Sequence, residues 1–202
     1  MIEDVPSPID FRDKVDAKEW ESTAMDRPFR LEFFDQFLLE LKKLNKPTLN
    51  VLELGSGPGF LARHLLNRLP NFTLTLLDFS SAMHELAYDR LKDHLNRVTF
   101  IKKSFKDTHW ANDLGQFDAV ITNQAVHELR HKSYAQALHE QVKPLLNISG
   151  VYLVCDHYLE FGSQKNDQLY MNLEEHTNSL HNAGYKTHEV LVKGGRVLNR
   201  AT

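Results

Sequence analysis

The 202-residue chain has one cysteine, Cys155, so neither an intrachain disulfide nor a multi-cysteine zinc site can form from it. Long apolar runs are missing as well. The longest are only a few residues, far short of the ~20 a bilayer-spanning helix needs. There is no basic excess: 24 Lys and Arg face 27 Asp and Glu, a formal charge of −3. Nucleic-acid binders usually carry net positive charge, so nucleic acid is disfavoured as a partner. The opening MIEDVPSPID lacks the basic and apolar regions of a signal peptide. With 42% hydrophobic residues, disorder is excluded too. The expectation is a one-domain cytoplasmic protein without a membrane segment. Composition says nothing of its oligomeric state.

What is present is alternation. Asp10 to Thr23 reads as a helix, and Phe29 to Leu44 has a helical apolar period through Phe29, Phe33, Phe37, Leu41 and Leu44. Apolar strands follow at Leu49–Leu54, Phe72–Leu77, Val98–Ile101, Phe117–Thr122 and Val151–Cys155. Helices are expected between them over Pro58 to Leu69, Ser80 to His94 and Lys132 to Leu146, with a loop and a helical turn over 102–116. A helix over Lys165 to Ala183 and a hairpin of Tyr185–Val192 and Arg196–Arg200 around Gly194-Gly195 close the chain. Continuously apolar strands alternating with helices mean a parallel sheet covered on both faces. The closing hairpin adds an antiparallel member. Residues 1–46 read as an N-terminal helical flap of the same domain, and 47–202 as its core.

The strongest local signal is Glu53-Leu54-Gly55-Ser56-Gly57-Pro58-Gly59, a glycine loop between a strand and a helix. Glycines there let the backbone approach a ligand closely. The spacing is G-x-G-x-G; the third glycine of the dinucleotide pattern would fall on Phe60. Glu53 would repel a pyrophosphate and attract a ligand with an ammonium and a sulfonium. Asp78, ending the second strand, can accept both hydroxyls of a ribose. It also stands where a helix-start Asp would, beside Ser80.

Together with Asp78-Phe79-Ser80-Ser81-Ala82-Met83 and Phe117-Asp118-Ala119-Val120-Ile121-Thr122-Asn123, this loop resembles the class I S-adenosylmethionine-dependent methyltransferases. Gly150-Val151-Tyr152-Leu153-Val154 looks like the family's glycine–strand element before the fifth strand. The resemblance runs from about Leu49 to the C-terminus. It implies a Rossmann-like, doubly wound α/β fold: a seven-stranded sheet with one antiparallel strand and helices on both faces. It implies S-adenosylmethionine as cofactor and S-adenosylhomocysteine as product. Gly55 and Gly57, with Ser56 between them, would line the methionine part, and Glu53 would meet its amino group. Asp78 would hold the ribose, and Phe79 and Met83 would pack near the adenine. Where the family often has an acid and an apolar residue after the third strand, this chain has Ser104-Phe105, so that adenine contact is weaker or is made by backbone. Asn123, ending the fourth strand, completes the cofactor set.

His127-Glu128-Leu129-Arg130-His131 is a literal H-E-x-x-H, which on a helix would place two zinc ligands on one face. Its context, a turn after a buried parallel strand, argues against a metal site, and none is expected. In the family reading, His127 lies where acceptor meets methyl group and is a candidate general base of near-neutral pKa. It is equally a candidate loop anchor. His157, after Asp156, is the second catalytic candidate. The remaining histidines read as solvated, and Cys155 as an inert core thiol.

No N-P-P-Y segment, no Pro-Cys and no target-recognition domain point to a nucleic-acid acceptor. The expected activity is methyl transfer to a small-molecule acceptor. The N-terminal helices and the loops after the fourth and fifth strands would wall its pocket, with Phe11, Trp20, Met25, Phe29, Phe33 and Tyr158 as apolar candidates. Gln124, Tyr158 and a cationic Arg30 or Arg27 are the acceptor-binding candidates. Rival readings are a non-catalytic S-adenosylmethionine-binding subunit, a methyltransferase of macromolecules, an NAD-dependent oxidoreductase and a zinc hydrolase.

Overall fold

The computed structural model describes residues 2–160, 162 and 166–202. Two helices, α1 (Lys14–Ala24) and α2 (Arg30–Lys42), precede β1 (Leu49–Leu54), α3 (Phe60–Leu66), β2 (Phe72–Asp78), α4 (Ser81–Arg90) and β3 (Val98–Lys102). Then come β4 (Phe117–Asn123), α5 (Ala135–Val142), β5 (Leu146–His157), α6 (Leu173–Asn182), β6 (Thr187–Lys193) and β7 (Arg196–Ala201). The strand order is β3-β2-β1-β4-β5-β7-β6. Among the described strands, β7 runs antiparallel to both of its neighbours, β5 and β6, and the other pairings are parallel. Strand order reverses between β1 and β4, so the carboxyl ends of these two strands open a crevice, the usual ligand position in a doubly wound sheet. No helix among the described residues is long and apolar enough to cross a membrane.

Strand periodicity divides the core. Val51, Leu74, Leu76, Ile121 and Leu153 face one layer, against Phe33, Phe37, Leu41 and Leu65. Leu52, Leu54, Val120, Tyr152 and Val154 face the other, against Trp110, Leu138, Val142 and Leu180. Burying apolar residues on both faces fixes register, because a slip by one residue would exchange the layers.

Several boundaries depart from the sequence expectation for local reasons. Gly59, with φ of 76°, is the N-cap of α3, so Pro58 stands before the helix and not in its first turn. Phe29, with φ of 64°, likewise stands outside α2. The helix expected over Lys132 to Leu146 is only Ala135–Val142 in α form, flanked by 3-10 turns at Lys132–Tyr134 and Lys143–Leu145. Pro144, which has no N–H, stands in the second turn. The helix expected to reach His94 stops at Arg90 and gives way to a 3-10 turn at Lys92–Arg97. The last helix starts at Leu173, where Asn172 and Glu175 form a reciprocal capping box. Lys165, its expected start, lies outside the described residues. Both hairpin glycines have positive φ, 54° and 70°, as a tight two-residue turn between twisted strands requires.

Candidate functional site

The cleft at the β1/β4 switch holds about 790 Å³, counting its open mouth. Its floor begins with the glycine loop. Gly55 and Ser56 both donate to Leu77 O, at 2.8 and 3.2 Å, which pulls the loop over the end of β2. A Cβ on Gly55 (φ 65°) would lie 2.4 Å from the Ala125 Cβ. At Gly57 (φ 54°) a Cβ would meet nothing within 4 Å, so this side of the loop faces open space.

Two carboxylates frame the loop. Asp78 accepts from Gly57 N at 2.8 Å and from Ser80 N at 2.9 Å. Burial pushes its carboxyl up to about 6, against these backbone bonds. Glu53 is 2% exposed, and its Oε2 has no hydrogen-bond partner. Burial, with the Asp78 charge added, holds it well above the usual carboxylate range. An unpartnered buried carboxyl is costly unless a cationic donor reaches it. The cleft therefore suits a ligand with an ammonium near Glu53 and hydroxyls near Asp78.

Of the residues expected at the cofactor, Glu53, Gly55, Ser56, Gly57, Asp78, Phe79, Met83, Phe105 and Asn123 line this cleft. Ser104 lines an adjoining pocket with Phe79 and Lys106, and its Oγ accepts from Lys106 N at 3.2 Å. Of the acceptor candidates, Arg30, Gln124 and His127 line the cleft, with Phe11, Trp20 and Arg27. Tyr158 and His157 do not; both sit past its edge, where Tyr158 N donates to Gly195 O. Met25, Phe29 and Phe33 are also outside: Phe33 is in the core, and Phe29 packs on the hairpin turn near Gly194.

His127 follows β4 on a 3-10 turn, Val126–Leu129. Asp156, at the end of β5, accepts its backbone N–H at 2.8 Å and lies 2.6 Å from its Nδ1. Its Nε2 lies 3.2 Å from Glu128 Oε1. Burial lowers the imidazole pKa, but the Asp156 and Glu128 carboxylates outweigh it and push it up to about 10. This departs from the near-neutral value expected from the sequence, in which Asp156 lies far from the ring it meets in the fold. Asp156 also accepts from His157 N at 2.7 Å. Burial opposes its charge, yet the His127 charge and ring bond, with His157 and His176 nearby, hold it down at about 2.

The H-E-x-x-H segment does not make the helix its zinc reading needs. Arg130, with φ of 69°, ends the 3-10 turn, and His131 Nδ1 turns to Ser133 Oγ at 2.7 Å. Among the described residues, no three His, Cys, Asp or Glu side chains are grouped to hold a metal. The other histidines are not all solvated: His64, His139 and His176 are buried. His176 reaches His157 O at 3.0 Å, and His139 reaches the Tyr152 hydroxyl at 3.3 Å. Cys155 is buried in the core, and its thiol is pushed up by that burial. Arg196, brought beside this region by pairing with His157, was missed in the sequence because nothing local marks it.

Residues 51–150 match the family described as Methyltransferase domain. The malonyl-[acyl-carrier protein] O-methyltransferase 1 of Ilyobacter polytropus is 35% identical over 79 residues, 39% of this chain and 28% of that protein. The chain thus matches less than a third of that relative's length. An O-methyltransferase family protein from Burkholderia thailandensis has the same fold, with a TM-score of 0.78 at 18% identity over 95% of this chain and 60% of that one. A SAM dependent methyltransferase from Aquifex aeolicus gives 0.69 at 21% identity, covering 94% and 97%.

Proposed function

Because this chain belongs to the class I S-adenosylmethionine-dependent methyltransferases, we propose that it methylates a small-molecule acceptor by in-line transfer. The observation that carries the reading is the unpartnered, buried Glu53 carboxyl beside Asp78 at the switch of the sheet. Glu53 would take the cofactor's ammonium, Asp78 its ribose, Gly55 to Gly57 its methionine chain, and Phe79, Met83 and Phe105 its adenine. When bound, the cofactor supplies a methyl group on a sulfonium, a good leaving group, so the protein's task is alignment and exclusion of water.

Residues 1–46 act as the flap over that site. Phe11 and Trp20 bring apolar surface to the cleft, and Arg27 and Arg30 bring charge. The flap is tied down by Val5 N to Arg130 O at 2.8 Å, and by Arg130 Nη2 to Pro6 O at 2.7 Å.

His127 serves the acceptor side as a positioned imidazolium. The Asp156 and Glu128 carboxylates hold the ring's pKa above its ordinary value, which favours the protonated ring near neutral pH. Both nitrogens also face carboxylates. A base role would require Glu128 to leave Nε2, so acceptors that need no base suit this arrangement best. His157 supports the His127 ring, 5.4 Å away edge-to-face.

The test is transfer of label from S-adenosylmethionine into fractionated extract. Label in the small-molecule fraction is expected. Label in protein or nucleic acid, or cofactor binding without turnover of any fraction, contradicts the proposal.

A further inference from the structure

Three arginines meet beside the acceptor side of the cleft. Arg27 and Arg30, flanking the start of α2, line it directly. Arg196, at the start of β7, stands behind them and donates through Nη2 to Pro28 O. Arg30 is 4% exposed and Arg196 2%. The ion-paired arginines among the described residues are Arg90, Arg130 and Arg200. Among the same residues, none of the clustered three has such a carboxylate. Arg30 spends Nη2 on the neutral Gln124 Oε1 at 3.0 Å and leaves Nε without a partner. Arg196 leaves both Nε and Nη1 unpartnered. The surroundings are aromatic: Arg27 lies 5.3 Å from the Trp20 ring centroid, Arg30 5.8 Å from the same ring, and Arg196 5.3 Å from that of Phe33.

Burying guanidinium groups together without an anion is unfavourable twice, through desolvation and through mutual repulsion. Both act on Arg30, whose pKa is pushed down to about 10 by burial first and then by Arg27 and Arg196. Cation–π contact recovers only part of that cost. Such a cluster is complete when an anion joins it, and a planar guanidinium fork with free N–H groups fits a carboxylate.

We propose that the cluster of Arg27, Arg30 and Arg196 binds a carboxylate carried by the methyl acceptor. The proposal rests on the methyltransferase reading of the same cleft. The cofactor's own methionine carboxylate is the second source of this chemistry, but one carboxylate leaves two of the three positive charges unmatched. Gln124, which holds Arg30, would then orient the fork towards the acceptor.

The experiment uses the intact chain saturated with S-adenosylhomocysteine. Butyrate, benzoate and glutarate are titrated at constant ionic strength, each against its own amide. At least one acid should bind about tenfold or more tightly than its amide, and Arg30→Gln should remove that preference. S-adenosylhomocysteine and 5′-methylthioadenosine, which lacks the amino-acid part, are compared in both proteins to separate the sources. Equal binding of every acid and its amide overturns the proposal in wild type alone, without reliance on a variant. A loss confined to S-adenosylhomocysteine affinity in Arg30→Gln, with 5′-methylthioadenosine unchanged, assigns the cluster to the cofactor and also overturns it. If S-adenosylhomocysteine fails to bind wild type, the methyltransferase reading fails; acid-over-amide preference in the ligand-free chain would still support the anion site.

Discussion

Asp156 holds His127 twice, through the backbone N–H at 2.8 Å and through ring Nδ1 at 2.6 Å. The end of β5 thereby fixes the turn that follows β4. Asp156→Asn should release the ring, and the His127 titration followed by NMR should fall from near 10 towards its ordinary 6.5. Removing one partner of a buried pair should also cost about 3–5 kcal/mol in a denaturant titration.

The same pair sets a pH dependence of stability. His127 has a raised folded pKa, so its contribution is full below 6.5 and is lost as pH rises through about 10. Asp156 has a depressed one, so its contribution is full above 3.8 and is lost as pH falls through about 2. Melting temperatures should decline between pH 6.5 and 10 in wild type, and that decline should flatten in Asp156→Asn.

Asp78→Ala should weaken S-adenosylhomocysteine binding by about 1–3 kcal/mol, from lost diol contacts. It also removes the acceptor of Gly57 N, so the loop should become less ordered. Calorimetry gives the affinity, and amide exchange at Gly57 gives the loop.

Glu53→Gln should separate stability from binding. The Glu53 carboxyl titrates above its ordinary 4.5 in the fold, so it favours folding below that pH and opposes it as pH rises towards the folded value. The glutamine variant should melt higher than wild type near neutral pH without ligand, yet bind S-adenosylhomocysteine about tenfold or more weakly.

Gly55→Ala and Gly57→Ala should differ. Both need a left-handed backbone that costs a side-chain-bearing residue about 1–2 kcal/mol. Only at Gly55 does the new methyl also collide with Ala125. Urea unfolding should find the Gly55 variant clearly the less stable.

The centre of the sheet was legible in the sequence because β1, β2, β4 and the second half of β5 are apolar on both faces. Gly55, Gly57 and Asp78 were legible for a local reason: motif and strand end lie within a few residues. What depended on distant partners was not. Asp156 reaches His127 only after β4 and β5 pair, and together with the adjacent Glu128 it raises the ring's pKa. Arg196 joins Arg30 from the other end of the chain. His139 and His176 read as polar positions, but their neighbours in the fold bury them. Lys106 likewise meets a partner distant in sequence, the Asp4 carboxylate, and Lys103 reaches Asn112 O at 2.9 Å.

The most direct test of the cofactor assignment is calorimetric titration of S-adenosylhomocysteine, and separately of NAD, into the purified chain near neutral pH. One-site binding of S-adenosylhomocysteine, weakened in both Asp78→Ala and Glu53→Gln, with no heat from NAD, is the expected result. Tight NAD binding with no response to the sulfur nucleoside would contradict it.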